Sequence, residues 1–212
     1  MKDKTYIGIP NSYFNKMPHS PSPEDVKRIF ENYFTADMNI WTGFSEKIKV
    51  REFNKSEIIK DYHGVEKYLN IIIKGSAGLF VWDGKRDICI NLLYEKSFIS
   101  DYMSFLNQQP SVIKTEALED LTLWSIPHQD LNELYQRSET GLRIGKAISE
   151  MLYVRKQQEQ INLLTLSPQE RYLKLIEGRP EIFQRTPLKI IASYLGLTAE
   201  SLSRIRKRVM EK

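Results

Sequence analysis

Between Ile191 and Val209 the chain reads IASYLGLTAESLSRIRKRV, and Arg204, Arg206, Lys207 and Arg208 fall within five residues of its second half. Guanidinium and ammonium groups at that density suit anion recognition rather than bond breaking. The residues ahead of them point to the scaffold. Two short helices crossing at a steep angle need a small residue at the crossing and a turn residue that tolerates a left-handed backbone. Ala192 and Gly196 occupy these places, with Ile191, Leu195, Leu197, Leu202 and Ile205 as the inward apolar set and Thr198 as a cap for the second helix. This spacing predicts a helix-turn-helix. Its second helix directs Ala199, Glu200, Ser203, Arg204 and Lys207 outward, and Thr198 and Ser201 at its start complete the predicted DNA-contacting set with Arg206 and Arg208. A glutamate can accept from cytosine N4, and an arginine can bind guanine O6 and N7 with two hydrogen bonds. Arg206 and Arg208 are better placed for phosphates. The competing reading is a solvated basic helix face.

Charge favours the nucleic-acid reading. The chain of 212 residues has a formal net charge of +4, yet residues 167–212 hold ten Lys/Arg against five Asp/Glu, while residues 1–166 hold 21 against 22. The basic excess therefore sits at the C-terminal end. Other chemistries lack their residues. His19, His63 and His128 are far apart, so no metal site is expected, and the single Cys89 supports neither an internal disulfide nor an iron–sulfur cluster. No P-loop, G-x-S-x-G or His-x-His motif occurs, and Ser100, Asp101 and Ser111 have no evident base beside them. No enzyme activity and no cofactor are expected. With no signal core and no apolar run near 20 residues, the expectation is a cytoplasmic protein without a membrane span.

The remaining elements would position the basic helix. Residues 1–22 read as an N-terminal arm. SPED at Ser22–Asp25 is a helix start, and Val26, Ile29, Phe30, Tyr33 and Phe34 follow at helical spacing. From about Lys47 to Ile126 short strand patterns succeed one another, among them YLNIII, GLFVW with a two-residue Asp83-Gly84 hairpin signal, DICINLL, VIKTEAL and LTLWSI, an antiparallel barrel or sandwich pattern. SDYMSFL interrupts them as a helical turn or two. A long helix is expected from Glu139 to about Leu164, with Leu142, Gly145, Ile148, Leu152 and Arg155 three to four apart as a predicted dimer interface. An ordinary packing helix is the alternative. SPQE from Ser167 to Glu170 is a full capping box that opens the last domain.

With these motifs in place, the sequence resembles the cyclic-AMP receptor protein/Fnr family of bacterial transcription regulators over about residues 25–212. SPQERYLKLIEGRPEIFQRTPLKIIASYLGLTAESLSRIRK is its most specific part and looks like the C-terminal domain of Bacteroidetes-type members. The resemblance implies an α+β protein: a cyclic-nucleotide-binding-like β-roll (jelly roll) over 23–138, a dimerisation helix over 139–166, and a helix-turn-helix domain over 167–212. It also implies a homodimer on double-stranded DNA with a two-fold symmetric site, RNA polymerase as a further partner, and an effector bound in the β-roll that reorients the DNA-binding domains. Glu200 and Arg204 match two base-reading positions of the family, whereas Ala199 stands where many relatives have Arg.

The family's nucleotide cassette has a Gly-Glu pair followed about ten residues later by Arg-Ser. The Arg pairs with the cyclic phosphate, and the Glu holds the ribose hydroxyl. Here Ser100-Asp101 and Pro110-Ser111 stand in those places, with Lys114 as the nearby cation. Ser100, Asp101, Ser111 and Lys114 are the expected effector residues, and the effector is expected not to be cyclic AMP. The alternative function is a ligand-sensing or protein-interaction module of the same fold that does not read DNA; a cupin-type enzyme is a third reading.

Overall fold

Ser22 caps the first helix as its sequence dictates. Its hydroxyl accepts from the Asp25 N–H at 3.2 Å, and the Asp25 carboxylate accepts the Ser22 N–H at 3.0 Å. The computed structural model describes residues 21–31 and 34–211. The expected arm lies outside these apart from its last two residues, as do His19 and Tyr33. Helix α1 (Pro23–Phe30) packs on α2 (Met38–Lys47), an element without a clear sequence pattern, through Phe30, Trp41 and Phe44. No helix of the described residues is long and apolar enough to cross a membrane.

Seven antiparallel strands follow: β1 (Lys49–Phe53), β2 (Ile58–Lys60), β3 (Tyr68–Lys74), β4 (Ser76–Trp82), β5 (Asp87–Tyr94), β6 (Ile113–Ala117) and β7 (Leu121–Pro127). They form two sheets, β1-β7-β3 and β2-β6-β4-β5, with a core of Ile72, Leu79, Leu93, Leu121 and Leu123 drawn from both. The short helix α3 (Tyr102–Asn107) interrupts the strands, as SDYMSFL suggests. The β4–β5 turn differs from the two-residue hairpin expected. Trp82 pairs with Asp87, so four residues connect the strands, and the Asp83 carboxylate accepts the N–H groups of Lys85 and Arg86.

Strand β3 is buried along most of its length because both faces are covered. One face meets the second sheet; the other meets α1, α2, α4 (His128–Arg137) and the first half of α5 (Glu139–Thr165) in a core of Leu69, Ile71, Trp124, Ile144 and Ile148. At 27 residues, α5 is about 40 Å long.

This packing divides the five positions expected at a dimer face. Gly145 and Ile148 are buried within the chain, where a Cβ on Gly145 would lie 2.5 Å from the Tyr135 ring. Leu152 packs against the same core, and Arg155 is half-buried and pairs with Glu159 one turn along the same helix. Of the five positions, Leu142 alone is exposed. The exposed apolar residues of α5 are instead Leu142, Tyr153, Val154, Ile161, Leu163 and Leu164. At about 100° per residue, Leu142, Tyr153, Val154, Ile161 and Leu164 share an arc of about 120° opposite the buried one.

The C-terminal unit comprises α6 (Pro168–Gly178), α7 (Ile182–Arg185), α8 (Leu188–Tyr194) and α9 (Ala199–Met210). It sits on the outer face of β4–β5, where Phe80, Cys89, Leu92 and Tyr94 share a core with Ile182, Ile191 and Leu195. Arg185 fixes the contact, donating to Glu95 at 2.8 and 2.9 Å and to Glu119 at 2.7 and 3.2 Å. Burial opposes the charge on Glu95, but the Arg185 hydrogen bonds hold its pKa below the usual value.

Candidate functional sites

Helix α8 ends in a turn whose hydrogen bonds follow from one glycine. Gly196 has φ +68°, and the N–H groups of Leu197 and Gly196 return to the carbonyls of Ala192 and Ser193 at 2.8 and 2.9 Å. The Thr198 hydroxyl accepts the Ser201 N–H at 3.2 Å and starts α9. Leu202 is fully buried, with Ile205 and Val209 partly buried behind it. That stripe leaves Glu200, Arg204 and Arg208, at successive four-residue steps, exposed beside Ser203 and Lys207. Ala199 and Ser201 are half-buried, and the Arg204 guanidinium lies 3.5 Å from the Ser201 hydroxyl. The Glu200 carboxyl is held below its usual pKa by its own backbone N–H and by Thr198. Arg206 differs from its neighbours: its guanidinium lies 4.4 Å from the centre of the Phe183 ring and serves packing within the unit.

A second site lies in the roll. Asp101 caps α3 by accepting the Ser104 N–H. Its other oxygen accepts from Ser111 and, at 2.9 Å, from the ammonium of Lys60 on β2. Lys60 also donates to the Ser111 hydroxyl at 2.8 Å and to the Ile113 carbonyl at 2.7 Å. All three ammonium protons therefore have acceptors, and the two charged side chains are 5 % and 0 % exposed. Beside this cluster, Glu66 accepts the Tyr68 N–H through one oxygen, while the other has no hydrogen-bond partner among the described residues. Burial pushes the Glu66 carboxyl up to about 6.

Two expected effector residues are employed elsewhere. Ser100 accepts the Asn70 N–H, and its one hydroxyl proton lies within reach of the carbonyls of Tyr68 and Ile99. Lys114 leaves the opposite face of β6 from Ile113 and binds Asp87 and Glu116 over the rings of Tyr62 and Phe80. Its ammonium is thus engaged on the side of β6 away from Ile113. Lys60 was missed; an isolated lysine at the end of a short apolar strand was its one signal.

Next to the cassette a cavity of about 570 Å³ opens between the inner face of the roll and α5. Its wall is largely apolar, including Leu69, Leu79, Ile90, Leu93 and Leu106, and Arg155, Lys156 and Glu159 lie at its α5 edge. A bulge helps to shape it. Leu79 pairs with Asn91 and Phe80 with Cys89, so Ile90 is the extra residue, and consecutive residues Ile90 and Asn91 both line the space. Among the described residues no group of three or more His, Cys, Asp or Glu side chains could hold a metal ion.

Residues 50–138 match the cyclic nucleotide-binding domain family. No curated protein sequence matches the chain. Among solved structures, the c-di-GMP-responsive global regulator CLP of Xanthomonas campestris aligns with TM-score 0.65 and 17 % identity, covering 82 % of this chain and 92 % of that one. FixK2 of Bradyrhizobium japonicum gives 0.64 at 15 % identity, covering 77 % and 85 %. The catabolite activator protein of Thermus thermophilus gives 0.53 at 18 % identity, covering 90 % and 87 %. At such identities the likeness speaks for the fold.

The buried charges generate two predictions. Lys60→Met leaves Asp101 without its counter-ion and should cost about 3–5 kcal/mol of stability. Adding Asp101→Asn, which keeps an acceptor for the α3 cap, should recover part of the loss; urea unfolding of both variants checks this. The folded-state pKa of Glu66, about 6, exceeds its usual 4.5, so the folded chain binds this proton more tightly. The stabilisation is full below about pH 4.5 and is lost as pH rises through 6, amounting to roughly 2 kcal/mol. Unfolding of wild type and Glu66→Gln between pH 4.5 and 7.5 should differ by that pH-dependent component.

Proposed function

We propose that this chain, which has the fold of the cyclic-AMP receptor protein/Fnr regulators and a cyclic nucleotide-binding domain, is a homodimeric, sequence-specific DNA-binding transcription regulator. One observation carries the reading: Glu200, Arg204 and Arg208 form an exposed row on α9, whose other face is locked into the C-terminal unit. The α8–α9 pair serves as a helix-turn-helix, with α9 in the major groove. Arg204 reads a guanine, Glu200 a cytosine amino group, and Lys207 and Arg208 hold phosphates. Arg206 supports the helix from behind through Phe183. A module that reads no DNA would have no use for this row or for the basic balance of residues 167–212.

The second copy docks along the exposed arc of α5. Leu142, Tyr153, Val154, Ile161 and Leu164 are 50–76 % exposed, an apolar stripe that a partner helix would cover. Pairing of two such helices gives the two-fold symmetry that a palindromic DNA site requires. The effector is a small molecule other than cyclic AMP, because among the described residues of the cassette the one interior cation, Lys60, has no spare proton for a cyclic phosphate. RNA polymerase would be met on the promoter, and the protein would act in the cytoplasm without enzymatic activity.

Selection of bound sequences from random DNA tests the central reading. Wild type should yield a two-fold symmetric site, with affinity falling by a log–log salt slope of about −0.9 per phosphate contact. Arg204→Ala should relax preference at one base pair per half-site, a discrimination of about 1–3 kcal/mol, whereas Lys207→Ala should weaken all sequences alike and flatten the slope. Affinity without sequence preference in the wild type would overturn the assignment. Separately, Ile161→Asp should sediment as a monomer with unchanged thermal stability of the roll, whereas Ile148→Ala should lose about 2–5 kcal/mol of stability and remain dimeric.

A further inference from the structure

The cassette and the cavity beside it make opposite demands on a ligand. A cyclic nucleotide brings a phosphate that needs a cation with donors to spare. The interior cation, Lys60, has none: its three protons go to Asp101, Ser111 and the Ile113 carbonyl. A phosphate would have to break a saturated buried ion pair to reach it, exposing Asp101 to repulsion. The neighbouring cavity is different in kind. Its volume of about 570 Å³ lies within the roughly 300–1,000 Å³ usual for small-molecule sites, and its wall is built from aliphatic side chains of both sheets and Leu152 of α5.

The charges at the cavity are unbalanced. Asp101, which lines the cavity, is neutralised by Lys60, which does not. At the α5 edge, two cations share one carboxylate: Arg155 donates through Nε to Glu159 at 3.1 Å, and Lys156 donates to the other Glu159 oxygen at 2.9 Å. The terminal nitrogens of Arg155 make no further hydrogen bond among the described residues, although only 23 % of its side chain is exposed. A net single positive charge, with a planar donor fork held half-buried, therefore borders a largely apolar space. One carboxylate would balance it and fill the fork.

Resting on the regulator reading above, we infer that the cavity takes an amphipathic monocarboxylic acid, with its hydrocarbon or aromatic body between Leu79, Ile90, Leu93 and Leu152 and its carboxylate on Arg155 and Lys156. The site recognises one negative charge and an apolar volume, and it excludes cyclic nucleotides. Because the carboxylate is met by residues of α5, the helix that also carries the exposed apolar arc, ligand charge is read by the element that joins the two copies.

The test uses the full-length protein and calorimetric titration with decanoate, 1-decanol, cyclic AMP and cyclic di-GMP. Decanoate should bind once per chain, at least tenfold more tightly than decanol, and neither cyclic nucleotide should bind more tightly than decanoate. Arg155→Gln combined with Lys156→Gln should remove the preference of decanoate over decanol while leaving decanol binding in place. Glu159→Gln should tighten decanoate, since it frees both cations. Leu152→Trp, with Ile90→Trp as a second variant should the first not fold, should abolish binding of both by filling the space; binding that survives in a folded Trp variant places the ligand elsewhere and overturns the inference. Equal binding of acid and alcohol overturns it as well, as does tighter binding of either nucleotide. Selection on random DNA, run both with and without decanoate, keeps the two readings apart. Specific DNA binding without decanoate binding refutes the ligand and leaves the regulator, whereas decanoate binding without DNA binding refutes the regulator and leaves the site.

Discussion

Helix α5 must satisfy two surfaces at once, and the arrangement of the chain follows from that constraint. One arc, running through Ile144, Gly145 and Ile148, closes the core over β3 and β7. Further along, Leu152 and Arg155 turn the same side toward the roll and bound the cavity. The opposite arc leaves Tyr153, Val154 and Ile161 in water, an arrangement that a monomeric helix rarely keeps. Turning the helix about its axis would withdraw Ile144 and Ile148 from that core, so its orientation on the roll is fixed by packing. Gly145 sets how closely it lies: with any larger residue the Tyr135 ring would hold it off.

That same two-sidedness explains what could be read from the sequence and what could not. The capping box at Ser167, the left-handed Gly196 and the Thr198 cap are local devices, complete within four or five residues, and each forms as its residues dictate. The choice of arc on α5 is not local. Gly145 and Ile148 have the composition of a close helix contact, and nothing in the spacing tells whether the contact is with Tyr135 of the same chain or with a second copy. The cassette was harder to read. Lys60 meets partners 41 and 51 residues away, a relation carried by the fold of two sheets. Lys114 lies near the right place in sequence, but the two-residue alternation of a strand sends it outward while Ile113 faces the cavity.

Electrostatics divide the molecule into a quiet interior and an active edge. The buried Lys60–Asp101 pair has all its donors matched, so it gives the roll a fixed geometry with no net charge. Unpaired or unevenly shared charge appears at its margins: the Arg155–Lys156–Glu159 group on α5 and the Glu200–Arg204–Arg208 row on α9. The α9 row lies on a helix whose opposite face is packed, so its charged groups are presented from a rigid backbone. Glu66 is the exception within the roll, a buried carboxyl with one oxygen that has no hydrogen-bond partner among the described residues.

Strand β5 is one backbone thick, and its two faces have different neighbours. Ile90, Asn91 and Leu93 look into the cavity, while Cys89, Leu92 and Tyr94 are the seat of the C-terminal unit, which also holds the strand through the Ser193 hydroxyl on the Cys89 N–H and Arg179 on the Leu92 carbonyl. A strand cannot slip by a single residue without exchanging its faces, and β4 holds β5 in register on either side of the bulge. The strand is therefore a shared wall: the cavity on its inner side and the C-terminal unit on its outer side are held by one backbone in one register.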